Sequence, residues 1–168
     1  TTLNLNPLTI GEAMGMVDWY LGDEPARSLG SQIVDRADGN PYFIEEIIRG
    51  LIDQGAVVRD GATWRVTGPV ESLDIPQTVQ AVISARIDLL DSIEKRVLQA
   101  AAVIGRTFWI GAVAHLLGLD PGEVSPVLDR LEERELALPG ADSVLSDERE
   151  YRFKHALVRE VAYNTLTR

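Results

Sequence analysis

Arg36-Ala37-Asp38-Gly39-Asn40-Pro41-Tyr42-Phe43-Ile44-Glu45-Glu46-Ile47-Ile48 joins the end of one helix to the start of the next. Gly39 supplies a helix stop. Asn40 followed by Pro41 reads as an N-cap with proline at the first helical position, where the missing N–H costs nothing and the fixed φ suits the helix. Beyond it, Ile44, Ile47, Ile48, Leu51 and Ile52 share one face. Glu45, Glu46, Arg49 and Asp53 fall largely to the other, with Glu45, Arg49 and Asp53 spaced as i,i+4 pairs. This spacing predicts an amphipathic helix with a solvated, charged back. A helix start by itself accounts for Pro41 on these grounds; a ligand contact is the alternative.

Upstream, Leu3 to Leu8 alternates apolar and polar, as a short edge strand or an arriving connection does. Thr9-Ile10-Gly11-Glu12 has the form of a capping box, in which each side chain satisfies the other's backbone donor. The helix it opens carries Ile10, Ala13, Met14, Val17, Tyr20 and Leu21 on one face, and Gly22-Asp23-Glu24-Pro25 ends it. A second helix is expected from about Ala26 to Ala37, built on Leu29, Ile33 and Val34.

Downstream, Gly55 stops the third helix. Val57-Val58-Arg59 then faces Thr63-Trp64-Arg65-Val66 across an Asp60-Gly61 turn, a strong short-range hairpin signal. A two-stranded ribbon is marginal alone, so Trp64 is expected to lay its ring on the neighbouring helices. Gly68 to Pro76 is a linker by composition. A fourth helix follows from near Pro76, with Val79, Val82, Ile83, Ile87 and Leu90 inward and Arg86 read as a surface arginine.

The second half restarts with Asp91-Ser92-Ile93-Glu94, another capping box, ahead of Val97, Leu98, Ala101, Ala102 and Ile104. Phe108 and Trp109 fill a connection to a short helix over Ile110 to Leu117. Asp120-Pro121-Gly122-Glu123 starts a further helix with Val124, Val127, Leu128, Leu131 and Leu136 inward. Pro126 requires either a cap at Ser125 or a kink, since proline in a helix interior costs about 3 kcal/mol. Leu136 to Leu138 and Tyr151 to Phe153 read as strands around an acidic loop from Pro139 to Glu150. A closing helix carries Leu157, Val158, Val161, Ala162, Thr165 and Leu166.

Three helices, a strand, a loop, a strand and a closing helix make the order of a winged-helix domain, a topology that serves DNA binding in some proteins and pure packing in others. Here the third helix carries Glu123, Asp129, Glu132, Glu133 and Glu135 against Arg130 and Arg134, and the wing adds Asp142, Asp147, Glu148 and Glu150 against Arg149. Acid where phosphates lie argues against DNA, as does the formal net charge of −10 over 168 residues. Apolar residues at 45% and charged residues at 25% are ordinary globular composition. Without cysteine and with two histidines, cysteine chemistry and zinc sites of ordinary ligand spacing are excluded. No apolar run approaches the roughly 20 residues of a membrane helix, and no signal peptide is apparent. A cytoplasmic location fits this composition. His115, beside Leu116 and Leu117, reads as structural or partly exposed.

The string ADGNPYFIEEIIRGLIDQGAVVRDGATWRV resembles the segment that follows the ATPase core in signalling NTPases of the STAND class, most of all those attached to bacterial class III adenylate cyclases and to LuxR-type regulators. In that class a Gly-x-Pro turn between lid helices packs its proline against the adenine of bound nucleotide. The resemblance therefore implies a nucleotide contact at Pro41, with Gly39 and Asn40 shaping the turn. FKHALVREVAYNTL is similar to the closing winged-helix segment of the same class, where a Met-His-Asp motif opens the helix and its histidine reaches the β-phosphate of ADP. His155 is the match, and Ala156 stands where the aspartate belongs, so only the histidine is carried over. From chemistry alone, Lys154 and His155 at a helix N-terminus suit an anion, and a histidine capping its own helix or bonding a nearby carbonyl is the alternative.

The expected architecture is mainly α: a helical lid bundle over 1–75 with a β-hairpin at about 57–66, a connecting helix of the lid over 76–90, and a winged-helix domain over 91–168. No G-x-x-x-x-G-K-[ST] loop occurs, so the chain should not hydrolyse ATP by itself. The resemblance implies ADP or ATP as ligand, with magnesium and the phosphate cradle on a P-loop core N-terminal to Thr1, and a sensor or output domain beyond Arg168 as the other partner. Thr1 is accordingly read as a cut end. The rival readings are a DNA-binding winged-helix regulator and a protein-docking adaptor that binds no nucleotide.

Overall fold

The structure, a computed structural model, describes residues 6–140, 143 and 148–167. It is mainly helical with two small sheets, and it divides into two compact units, Thr1–Arg86 and Ile87–Arg168.

In the first unit, α1 (Ile10–Leu21) opens on the capping box of Thr9 and Glu12. Ile10 is 74% exposed rather than inward, because it occupies the first helical position ahead of the packed face formed by Ala13, Val17 and Leu21. Gly22 alone, at φ +76°, separates α1 from α2 (Asp23–Ala37), which begins three residues earlier than Ala26. Pro25 is accommodated because it falls in the first turn, where backbone N–H groups have no intrahelical acceptor. The next helix, α3 (Pro41–Asp53), ends at Gln54 and Gly55.

The hairpin pairs β1 (Val57–Asp60) with β2 (Thr63–Val66) antiparallel, Val57 facing Val66 and Asp60 facing Thr63. Its two-residue loop is thus Gly61-Ala62, one residue later than expected, with Gly61 at φ +63° in the first loop position. Trp64 packs against the helical core, and the Arg59 guanidinium lies 5.3 Å from its ring centroid. The Gly68 to Pro76 stretch contains a short 3-10 turn at Val70–Ser72, and Ile75 within it is buried. Helix α4 (Val79–Asp88) follows, and the division between the units falls inside it. The core of the first unit is aliphatic, centred on Leu29, Ile33, Ile44 and Ile48. Of the Leu3 to Leu8 stretch, residues 3–5 lie outside the described residues; Leu8 donates its N–H to the Gly39 carbonyl at 2.8 Å.

In the second unit, α5 (Ser92–Ile104) starts at the Asp91 and Glu94 capping box. Glu94 is buried and also accepts from Arg130 Nε at 2.8 Å, which fastens this helix start to a later helix. Phe108 and Trp109 do not merely fill a connection: they belong to β3 (Thr107–Trp109), which leads directly into α6 (Ile110–Leu117). Helix α7 (Pro121–Glu133) is capped by Asp120 with Pro121 at its first position, and it continues through Pro126, so Ser125 is not a cap. The strands β4 (Ala137–Pro139) and β5 (Glu150–Phe153) are followed by α8 (Ala156–Asn164) and a 3-10 turn at Thr165–Thr167. All three strands form one antiparallel sheet in the order β3-β5-β4.

Alternation along β5 puts Tyr151 and Phe153 in the core and Arg152 outside. The Phe108 ring lies 5.3 Å from Phe153 and 6.1 Å from Tyr151, centroid to centroid, so the sheet contributes an aromatic layer to this unit. Burial raises the Tyr151 phenol above its ordinary range. Leu166 is exposed rather than inward. Asp142 and Asp147 of the acidic loop fall outside the described residues; Glu148 accepts from the Gly111 N–H at 3.2 Å, placing a carboxylate on the first turn of α6.

Candidate functional site

Gly39, Asn40 and Pro41 form one corner of the first unit. Asp38 closes α2 in the left-handed region at φ +49°, and Gly39 follows at φ +71°. Two successive positive φ values turn the chain sharply, and Gly39 is needed twice over. An added Cβ would sit 2.5 Å from the Leu8 carbonyl oxygen and 2.9 Å from Pro7 Cβ, inside any tolerable contact. Asn40 then caps α3: its Oδ1 accepts from the N–H groups of Tyr42 at 3.0 Å and Phe43 at 3.3 Å. Pro41 takes the first helical position with its ring exposed to solvent. The corner presents a rigid apolar ring on a turn fixed from both sides. Asn40→Ala is expected to cost about 1 kcal/mol in urea unfolding, the usual worth of a side-chain cap.

A buried ionic cluster lies one helical turn behind this corner. Arg86 and Glu46 are each 1% exposed, with Arg86 Nη1 2.6 Å from Glu46 Oε2 and Arg86 Nε 2.7 Å from Asp53 Oδ2. Arg86 is therefore not a surface arginine, and Glu46 is not on a solvated face. Burial alone would pull the guanidinium down, but the two carboxylates hold it above its ordinary value. Tyr42 joins the group from the first turn of α3: burial, and then the Glu46 charge, push its phenol above the ordinary range. Gly50 lets α4 pack closely beside the cluster: a methyl there would lie 3.3 Å from Val82 Cγ1, slightly tight, and 3.8 Å from Arg86 Cγ, an ordinary contact. The sequence carries a signal for this cluster. Glu46, Gly50 and Asp53 recur at i, i+4 and i+7 as one stripe, and Arg86 stands among Val82, Ile83 and Ile87 on the inward face of α4.

His155 belongs to the second unit. It is the N-cap residue of α8, in extended conformation, and its side chain makes no capping hydrogen bond, so the self-capping alternative is not what the fold adopts. The imidazole is half-buried with Nε2 shielded from solvent. Its neighbour Lys154 is ion-paired with Glu135, a residue held at φ +54° before β4. Much of the positive charge expected at this strand end is thereby answered within the unit. His115 is exposed.

Among the described residues no group of three His, Asp or Glu side chains is disposed to hold a metal ion, and no helix is long and apolar enough to cross a membrane. No protein-family model, no curated protein and no solved structure matches the chain.

Proposed function

We propose that this chain is the regulatory lid and winged-helix segment of a STAND-type signalling ATPase, in which Pro41 contacts the base and His155 the diphosphate of ADP. One observation carries the reading: the Pro41 ring stands exposed at the outer corner of a turn that Gly39 and Asn40 hold rigid. The β3-β5-β4 sheet, with three helices before β4 and one after β5, supports the winged-helix part of the proposal.

The residues fit such a ligand in chemical type. A pyrrolidine ring offers an apolar flat for a purine, and the N–H groups of the helix start at His155 favour an anion, toward which the shielded Nε2 would have to turn in order to donate. The phosphate cradle and magnesium would be supplied by a P-loop core. Within this chain, Asn40 keeps Pro41 in place, and the Arg86 cluster keeps α3 from shifting. The coupling is a difference in contact: His155 biases the protein toward one state only if its bond to the diphosphate is made there and not in the other. DNA contact through α7 is disfavoured by the acidic side chains along it.

The test joins this chain to an upstream P-loop core and measures ADP affinity by calorimetry. His155→Ala should weaken ADP about tenfold or more, the worth of one hydrogen bond to a charged group. Pro41→Ala should weaken it about fivefold through lost apolar contact. Unchanged affinity in both variants would overturn the assignment.

A further inference from the structure

A second surface lies in the first unit, where the corner between α1 and α2 faces the hairpin. Residues 18–25, 59–60 and 62–65 wall a cleft of about 780 Å³. Trp19 at its rim is 79% exposed, the most exposed of the large hydrophobic side chains among the described residues. Its ring stands edge-on to Tyr20, 4.8 Å between centroids, which braces it without covering its face. Trp64 lines the same cleft, and Arg59 already lies over its ring at 5.3 Å, so an indole in this place accepts a guanidinium.

The charges of the lining are unequal. Asp18, Asp23, Glu24 and Asp60 face Arg59 and Arg65. Arg65 pairs with Asp60 at 3.4 Å, and Asp23 pairs with Arg27 at 3.7 Å. Asp18 and Glu24 hold no ion pair among the described residues. An uncovered indole face beside two unneutralised carboxylates is complementary to a guanidinium or ammonium group, through ring quadrupole and charge together. A single small cation would leave most of the cleft empty, whereas consecutive side chains of a polypeptide would fill it.

We infer that this cleft docks a basic, arginine-bearing segment of a partner protein, with one cation over Trp19 and others against Asp18 and Glu24. The inference stands apart from the nucleotide reading, since no residue of the Gly39 turn or of the His155 region lines the cleft.

The experiment titrates the full chain with a tetra-arginine peptide by calorimetry at low ionic strength, with tetra-glutamate as the comparison. Tetra-arginine is expected to bind, more weakly as salt rises, and tetra-glutamate is not. Trp19→Ala should weaken tetra-arginine binding about threefold to fivefold, the range of an exposed cation–π contact. Asp18→Asn/Glu24→Gln should weaken it about tenfold. The pair Glu133→Gln/Glu160→Gln removes the same charge from the second unit and should leave affinity nearly unchanged. An equal loss in that pair would mean that the peptide reads net charge, and would overturn the assignment, as would binding unaffected by Trp19→Ala. Trp19 is exposed, so its removal should leave the unfolding midpoint unmoved and keep the comparison readable.

Discussion

Arg86→Ala should destabilise the chain by about 3–5 kcal/mol in urea unfolding, the cost of leaving a buried carboxylate without its counter-ion. Glu46 is then the uncompensated group, since it shares the guanidinium with Asp53 from a position as inaccessible as Arg86 itself. The origin of the effect can be separated from simple loss of volume. Replacing the set together, Arg86→Met/Glu46→Leu/Asp53→Leu, removes both the attraction and the desolvation cost. It should recover most of the lost stability, because well-packed apolar groups often replace a buried ion pair at little or no net cost. A triple variant as unstable as Arg86→Ala would show that the cluster stabilises through packing shape and not through charge compensation.

Gly39→Ala should cost about 2–4 kcal/mol, the sum of a left-handed backbone unsuited to alanine and a steric conflict with the incoming chain. The conflict is with the backbone at Leu8 and with the ring of Pro7, neither of which can swing aside as a long side chain can. Gly55→Ala supplies the comparison. It has a similar φ of +72° but open space around the added methyl, so it should show the backbone cost alone, about 1 kcal/mol. Equal losses at the two positions would mean that the approach of Pro7 and Leu8 does not constrain the corner. In a form carrying a P-loop core, Gly39→Ala should also weaken ADP if Pro41 is a contact, since the turn that presents the ring would be displaced.

Features that depend on near neighbours in the chain are legible in the sequence. The caps at Thr9, Asn40, Asp91 and Asp120 are each written within four residues, and each of them forms. The hairpin is equally local and is misjudged by one residue, because Asp60 pairs with Thr63 instead of joining the turn. What escaped depends on distant partners. Thr107–Trp109 is too short to alternate visibly, and it is a strand only because Tyr151 and its neighbours lie beside it, more than 40 residues later. Glu46 and Arg86 are 40 residues apart, and a charge on a helix reads as solvated until the facing helix is known. The start of α2 differs for another reason: Pro25 marks a helix break in the sequence, yet in the first turn of α2 it is harmless. For the candidate site, the shape of the Gly39 corner was legible from the three residues themselves. The close approach of Pro7 and Leu8 that makes the glycine indispensable was not.

The placement of Arg86 at the last position of the first unit bears on where the chain can be divided. Composition alone invites a cut in the Gly68 to Pro76 stretch, since that is where glycine, proline and small polar residues gather. A polypeptide trimmed there would retain Glu46 and Asp53 yet forfeit the cation that neutralises them, together with the aliphatic cover that Val82 gives Gly50. An autonomous N-terminal half would have to run on through α4, so the length needed for independent folding is set by electrostatics and not by the apparent looseness of the intervening segment.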